Sequence, residues 1–141
     1  MSFEKIMAIG GTGLNAQLVR MNATASNLAN VGVVSGSEAT AFRAQRPVFS
    51  ALLDGETAGG YEDLAGGVRI ERIVNDTKPI EQIYEPGNAM ANEDGYVFSS
   101  NVSEIEELVD MLDASRAYQN NIEVITSAKD LMIKTLGLIK A

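Results

Sequence analysis

Small and apolar residues recur near the start of the chain at spacings of 4 and 3: Met7, Gly11, Leu14, Leu18, Met21, Ala25 and Leu28. Such a row winds into one narrow stripe along a helix. Asn15, Arg20, Asn22, Asn27 and Asn30 fall on the opposite side, and the first proline comes only at Pro47. The same alternation returns at the other end, in Leu108, Met111, Ser115, Tyr118, Ile122, Ile125, Met132, Leu136 and Ile139, broken once by Lys129. Ser103-x-x-Glu106 is a capping box just ahead of that row. Glu104, Glu106, Glu107 and Asp110 crowd its beginning and Lys129, Lys134 and Lys140 its end, as the helix dipole favours. A continuous helix here runs about 37 residues, roughly 55 Å, against a mean of about 11–12 residues in globular proteins.

The middle of the chain has a different rhythm. Val68, Ile70, Arg72 and Val74 alternate as in a strand, and "GYVFSS" (95–100) follows Asp94-Gly95, a hairpin turn signal. "AFRAQRPVFSALL" (41–53) reads as a further strand that Pro47 confines to an edge or an end. "EPGNAMANEDG" (85–95) is a loop by composition, and 31–40 and 54–67 read as mobile.

The pattern therefore predicts an α+β fold. A β-containing middle, 34–100, is inserted between an N-terminal helix within 1–33 and a C-terminal helix within 101–141. The economical arrangement packs the terminal helices on each other in a coiled-coil-like layer. The helix-helix contacts are then expected at Leu14, Leu18, Met21, Leu28, Leu108, Met111, Tyr118, Ile122, Ile125, Met132 and Leu136. Ile105, Val109, Leu112 and Leu131 lie outside the seam, and other subunits could cover them. The amides of Asn27 and Asn30 are further candidates for contacts across subunits, because they hydrogen-bond without burying charge. Tyr118 reads as an aromatic anchor with its hydroxyl at the rim rather than as a catalytic group.

Composition narrows the chemistry. The 141 residues carry 19 acids against 11 bases, a net charge of −8, which argues against nucleic acid as a partner, and no polybasic patch for a membrane surface is visible. With no Cys and no His, thiol and imidazole catalysis and most transition-metal sites drop out. No cofactor and no metal are expected. The N-terminus does not read as a cleaved secretory signal, and no window approaches the ~18 apolar residues of a membrane span.

One motif points elsewhere. Gly11-Thr12-Gly13-Leu14-Asn15-Ala16 fits G-x-G-x-x-A, and Glu38 stands where a ribose-binding acid would. That fingerprint needs a preceding strand and repeated βαβ units; the apolar run from Ile6 to Ile9 leads into the glycines, but no helix-strand alternation follows and the chain ends in one long helix. The plainer reading makes Gly10, Gly11 and Gly13 small positions that admit a neighbouring helix. "NEDG" (92–95) lacks calcium-loop spacing and reads as a turn. The acid pairs Glu62/Asp63, Glu93/Asp94 and Glu106/Glu107 read as solvated rather than catalytic.

Three stretches together carry a family resemblance: Ser26-Asn27-Leu28-Ala29-Asn30; "IYEPGNAMANEDGYV" (83–97); and Ser115-Arg116-x-Tyr118-Gln119-x-Asn121, followed by Lys129, Met132, Lys134, Thr135 and Leu136. The sequence resembles the flagellar basal-body rod proteins, and among them the proximal rod type. Asn88-Ala89 stands where that family usually carries His-Pro. The resemblance implies a non-enzymatic structural subunit. Its terminal helices would polymerise into the tubular, periplasm-spanning shaft that carries torque from motor to hook. Implied partners are copies of itself, other rod proteins, the rod-base or MS-ring adaptor and the type III export apparatus, which reads no cleaved signal. The alternative is a monomeric or small-oligomer adaptor of the export system.

Overall fold

The computed structural model describes residues 3–52 and 66–139. Helix α1 spans Phe3–Ala29 and helix α2 spans Glu104–Ile139, 27 and 36 residues. Between them lie five strands: β1 (Val34–Ser35), β2 (Gln45–Ala51), β3 (Val68–Asn75), β4 (Glu81–Tyr84) and β5 (Tyr96–Ser99). The expected α+β architecture is the observed one. Most of the 54–67 stretch, with Glu62 and Asp63, lies outside the described residues.

Local chemistry sets the boundaries. Ser103 precedes α2, accepting from Glu107 N through its carbonyl at 3.0 Å, with its Oγ 3.5 Å from Glu106 N. Beyond α1, Asn30 N bonds Asn27 O and the chain turns through Gly32, whose φ of 68° suits glycine.

β2 and β3 form an antiparallel ribbon of two strands, with a bulge where the register shifts between Val48 and Phe49. Pro47 sits in β2, where every strand is an edge and its missing donor costs least. The second sheet runs in the order β1-β5-β4. Its β4–β5 hairpin closes through Glu85 N to Gly95 O at 2.9 Å, with Asn92 Oδ1 accepting from Asp94 N and Tyr96 N. Gly95 takes φ 80°, and Tyr84 and Tyr96 meet edge to face at 5.1 Å across the strands.

The helices are antiparallel. Asn27 meets Glu107, and the Cβ that Gly13 and Gly10 lack would stand 3.0 Å from Asn121 Nδ2 and 2.8 Å from Ile125 Cγ1. Carried on in step, Phe3 comes level with Leu131 or Met132, so the last two turns of α2 run past the end of α1.

The seam differs from the predicted row. On α1 its closest positions are Gly10, Gly13, Ala16, Ala23 and Asn27, and on α2 they are Glu107, Ala114, Asn121 and Ile125. The contact is built from small residues, which let the helices approach closely. Of the predicted large residues Ile125 lies at the seam, and the others flank it or face out. Leu14, Met21, Leu28, Met111, Tyr118 and Ile125 are half-buried, whereas Leu18, Leu108, Ile122, Met132 and Leu136 are exposed. Both 3-4 rows were right in period and rotated by about one position, because a stripe of Gly and Ala carries little hydrophobic signal.

A polar junction beneath an exposed apolar face

The N-terminal glycines lie inside α1, with no strand before them, which overturns the dinucleotide reading. Glu38 pairs with Arg43 instead, Nη2 to Oε1 at 3.0 Å. A shallow groove of about 460 Å³ does pass Gly10 and Gly13, but Ile6, Ile9, Phe49, Val68 and Val124 line it, with no cation for a phosphate among the described lining residues. Of the three glycines, Gly10 and Gly13 make the close approach; a Cβ at Gly11 would meet nothing within 4 Å.

The densest polar chemistry lies where both helices meet the strands. Asn27 is fully buried. Its Oδ1 accepts from Gln45 N at 2.7 Å, while its Nδ2 donates to Gln45 O at 3.0 Å and Glu107 Oε2 at 2.9 Å. It thus caps the end of β2 and holds α2 at once. Glu107 is also fully buried, a correction to the solvated reading of that acid. Arg46 Nη2 stands 2.7 Å from Glu107 Oε1 as an ion pair, without a well-aligned hydrogen bond.

The same guanidinium reaches Asp110 Oδ2 at 3.0 Å and Asp76 Oδ2 at 3.5 Å, and Arg20 of α1 holds the other Asp110 oxygen at 2.9 Å. Two more bonds complete the junction. Asn101 Oδ1 accepts from Ala44 N at 2.8 Å, and Ser100 Oγ donates to Asn30 O at 2.7 Å.

Asp76 is held below the usual carboxylate range, chiefly because Lys78 N donates to it. Burial opposes the shift, and the positive charges of Arg46 and Lys78 add to it. Lys78 is raised by its hydrogen bond to Glu106, 2.6 Å away. This network uses both amide groups of Asn27 inside the chain and leaves none for another subunit. Asn30 likewise donates to Ser26 O at 2.8 Å.

Sequence reasoning missed Arg46, Asp76, Asp110, Arg20 and Asn101. One signal for them is Glu107-x-x-Asp110, two acids on one helical face, facing the single-file stripe Gly13-Ala16-Arg20-Ala23-Asn27.

Outside the junction, α2 is covered on one side only. Ile105, Leu108, Val109 and Leu112 are exposed near its start, and Leu131, Ile133, Leu136 and Leu138 near its end; Ile105 is 77% and Leu138 80% accessible. No helix among the described residues is long and apolar enough to cross a membrane. A water-facing run of this size marks a surface built for protein contact.

Long terminal helices with unpartnered apolar faces, joined through a small β insert, are what a self-assembling shaft subunit needs, and the comparisons agree with that class. The family model described as flagella basal body rod protein matches residues 7–36, and that of the flagellar basal body rod FlgEFG protein C-terminal matches 93–138. The chain belongs to the flagellar basal-body rod proteins and is a structural subunit of the rod. Within that family, relatives similar over nearly the full length include those named flagellar basal-body rod protein FlgC. Those of Yersinia enterocolitica and Salmonella typhimurium are each 40% identical over 138 residues, covering 98% of both chains. That of Borreliella burgdorferi is 32% identical over 143 residues, covering 94%.

Proposed function

We propose that this chain builds the proximal part of the rod, polymerising through the outward faces of its terminal helices into a tube that transmits torque toward the hook. The observation that carries this is the set of apolar residues left uncovered toward both ends of α2. Leu18, Leu108, Ile122, Met132 and Leu136, exposed in the single chain, are its assembly residues. Leu14, Met21, Leu28, Met111 and Tyr118 take part from the shoulder of the seam, and Ile125 from the seam itself, where one side of each is open. Asn27 and Asn30 serve indirectly, by fixing the angle at which the helices leave the β domain.

Other rod proteins, the adaptor at the rod base and the export apparatus are the further partners of this reading. The chain reaches the periplasm by type III export without a cleaved signal. A monomeric export adaptor is disfavoured, since it would be expected to cover its apolar surface within its own fold.

Mass spectrometry of detergent-purified basal bodies tests the reading, alongside deletion of the gene. Near-stoichiometric presence and loss of rod assembly on deletion are expected. Absence from wild-type particles would sink it.

A further inference from the structure

The β4–β5 hairpin carries an open strand edge beside an exposed aromatic ring. β4 is the outer strand of its sheet. The bond from Glu85 N to Gly95 O sets the phase of the ladder: Glu81 and Ile83 turn their backbone groups to β5, and Gln82 and Tyr84 turn theirs away. Among the described residues, no hydrogen bond from another element reaches that outer edge.

By alternation Gln82, Tyr84, Tyr96 and Phe98 share one face of the sheet, opposite buried Val97. Tyr84 is 63% accessible yet closely held. It meets Tyr96 edge to face, and a Cβ added at Gly95 would stand 3.0 Å from its Cε2. A ring kept open and fixed in this way is a platform whose π face attracts a cation.

The surrounding charge has the same preference. From Pro79 to Ser100 the chain has four acids, Glu81, Glu85, Glu93 and Asp94, all exposed, and no base. Glu85 also accepts from Asn88 Nδ2 at 2.9 Å. The bases bordering the hairpin are committed elsewhere: Lys78, just before β4, pairs with Glu106, and Arg43, which donates to Lys78 O, pairs with Glu38.

We propose that the β4 edge takes up, as a fourth strand, an extended segment of a different protein that carries adjacent Arg or Lys residues. Strand addition of this kind draws affinity from the main chain and specificity from alternate side chains. Glu81 lies on the face opposite Tyr84, so successive side chains of the added strand face the ring and the carboxylate in turn. Charge argues against a second copy in this place, since each chain carries −8 overall. The chain's own basic strand, β3, is a poor match, because Glu71 stands between Arg69 and Arg72 and pairs with the latter.

The probe is a short peptide of Thr and Val with two adjacent central arginines, titrated into the full chain and followed by NMR. Saturable one-to-one binding is expected, with shifts confined to β4, β5 and their turn, and weakening as salt rises. The same peptide with glutamates for arginines, or with its central amides methylated, is expected to bind about tenfold more weakly or worse. Tyr84→Ala is expected to cost about tenfold in affinity and Tyr84→Phe less than about twofold, because the ring and not the hydroxyl meets the cation. Absence of saturable binding overturns the proposal. So does undiminished binding by the methylated peptide, which would reduce the contact to charge, or by the Tyr84→Ala chain. The methylated peptide needs no variant, and it decides if Tyr84→Ala does not fold.

In purified basal bodies, a photo-reactive benzophenone amino acid at position 82 marks the natural occupant. An adduct to a different protein, mapped to a segment with adjacent bases, is expected. An adduct to a copy of this chain, to an acidic or uncharged segment or to glycan overturns the proposal, as does none from incorporated chain. Should that chain not be incorporated, the peptide titration decides. None of these outcomes touches rod membership, which rests on the presence of the wild-type chain in the particle.

Discussion

Glu106 and Glu107 are neighbours in sequence and opposites in fate. A turn of 100° puts one beside Lys78 in solvent and the other beneath Arg46 with no access to water. A buried carboxylate depends on its partner, so the two halves of the pair are not equivalent. Arg46→Ala strands Glu107 and is expected to cost about 3 kcal/mol in urea unfolding, while Glu107→Leu, which leaves Arg46 with Asp110 and Asp76, costs about 1–2 kcal/mol. The reverse order would show that Glu107 is held mainly by Asn27 and does not depend on Arg46.

Asp76 adds a pH dependence with a definite sign. Its carboxyl is lowered in the fold, so its contribution is fully present above the ordinary value of 3.8 and is lost as pH falls through the folded value. Asp76→Asn is expected to flatten the loss of stability below about pH 4 in acid titrations followed by circular dichroism. None of this was legible in the sequence. Adjacent acids at a helix start are usually solvated, and only the position of Arg46 across the junction distinguishes them.

The elements themselves were largely written in the pattern. The capping box at Ser103, the missing prolines and the 3-4 rows marked both helices, and Asp94-Gly95 marked the turn of the β4–β5 hairpin. β1 and β4 escaped because two and four residues are too few to show a period. The seam was misplaced because it relies on absence of side chain.

The glycines test that directly. Gly11→Ala is expected to stabilise the chain by about 0.5–1 kcal/mol, since it gains helix propensity and meets nothing. Gly10→Val is expected to destabilise by about 1–3 kcal/mol, since its first carbon alone would stand 2.8 Å from Ile125 Cγ1. Equal effects in thermal unfolding would mean the helices do not approach as described.

For the whole molecule, folding and assembly draw on different faces of the same helix. Ile122 lies off the buried seam and is exposed. Ile122→Asp should therefore leave circular dichroism and unfolding unchanged while abolishing swimming, because the charge would be buried only when a neighbour arrives. A folding defect of the isolated chain would return Ile122 to the internal core. Lys129 and Lys134 stand on turns that α1 barely covers. Trypsin should cut there rapidly in dilute protein and slowly in purified basal bodies. The two-sided character of α2 was foreseeable from Ile105, Val109, Leu112 and Leu131, which no two-helix hairpin can cover.

The junction around Arg46 has a mechanical meaning. A twist applied to the helices enters the β domain through contacts in parallel: Asn27 and Arg20 from one helix, Glu107 and Asp110 from the other, converging on β2 directly or through Arg46. Short polar contacts tolerate little shear before they part, so the joint behaves as a stiff spline and not as a compliant tether. Stiffness against torsion would then reside in a few side chains where helices and strands meet, while the apolar faces govern only how far the shaft extends.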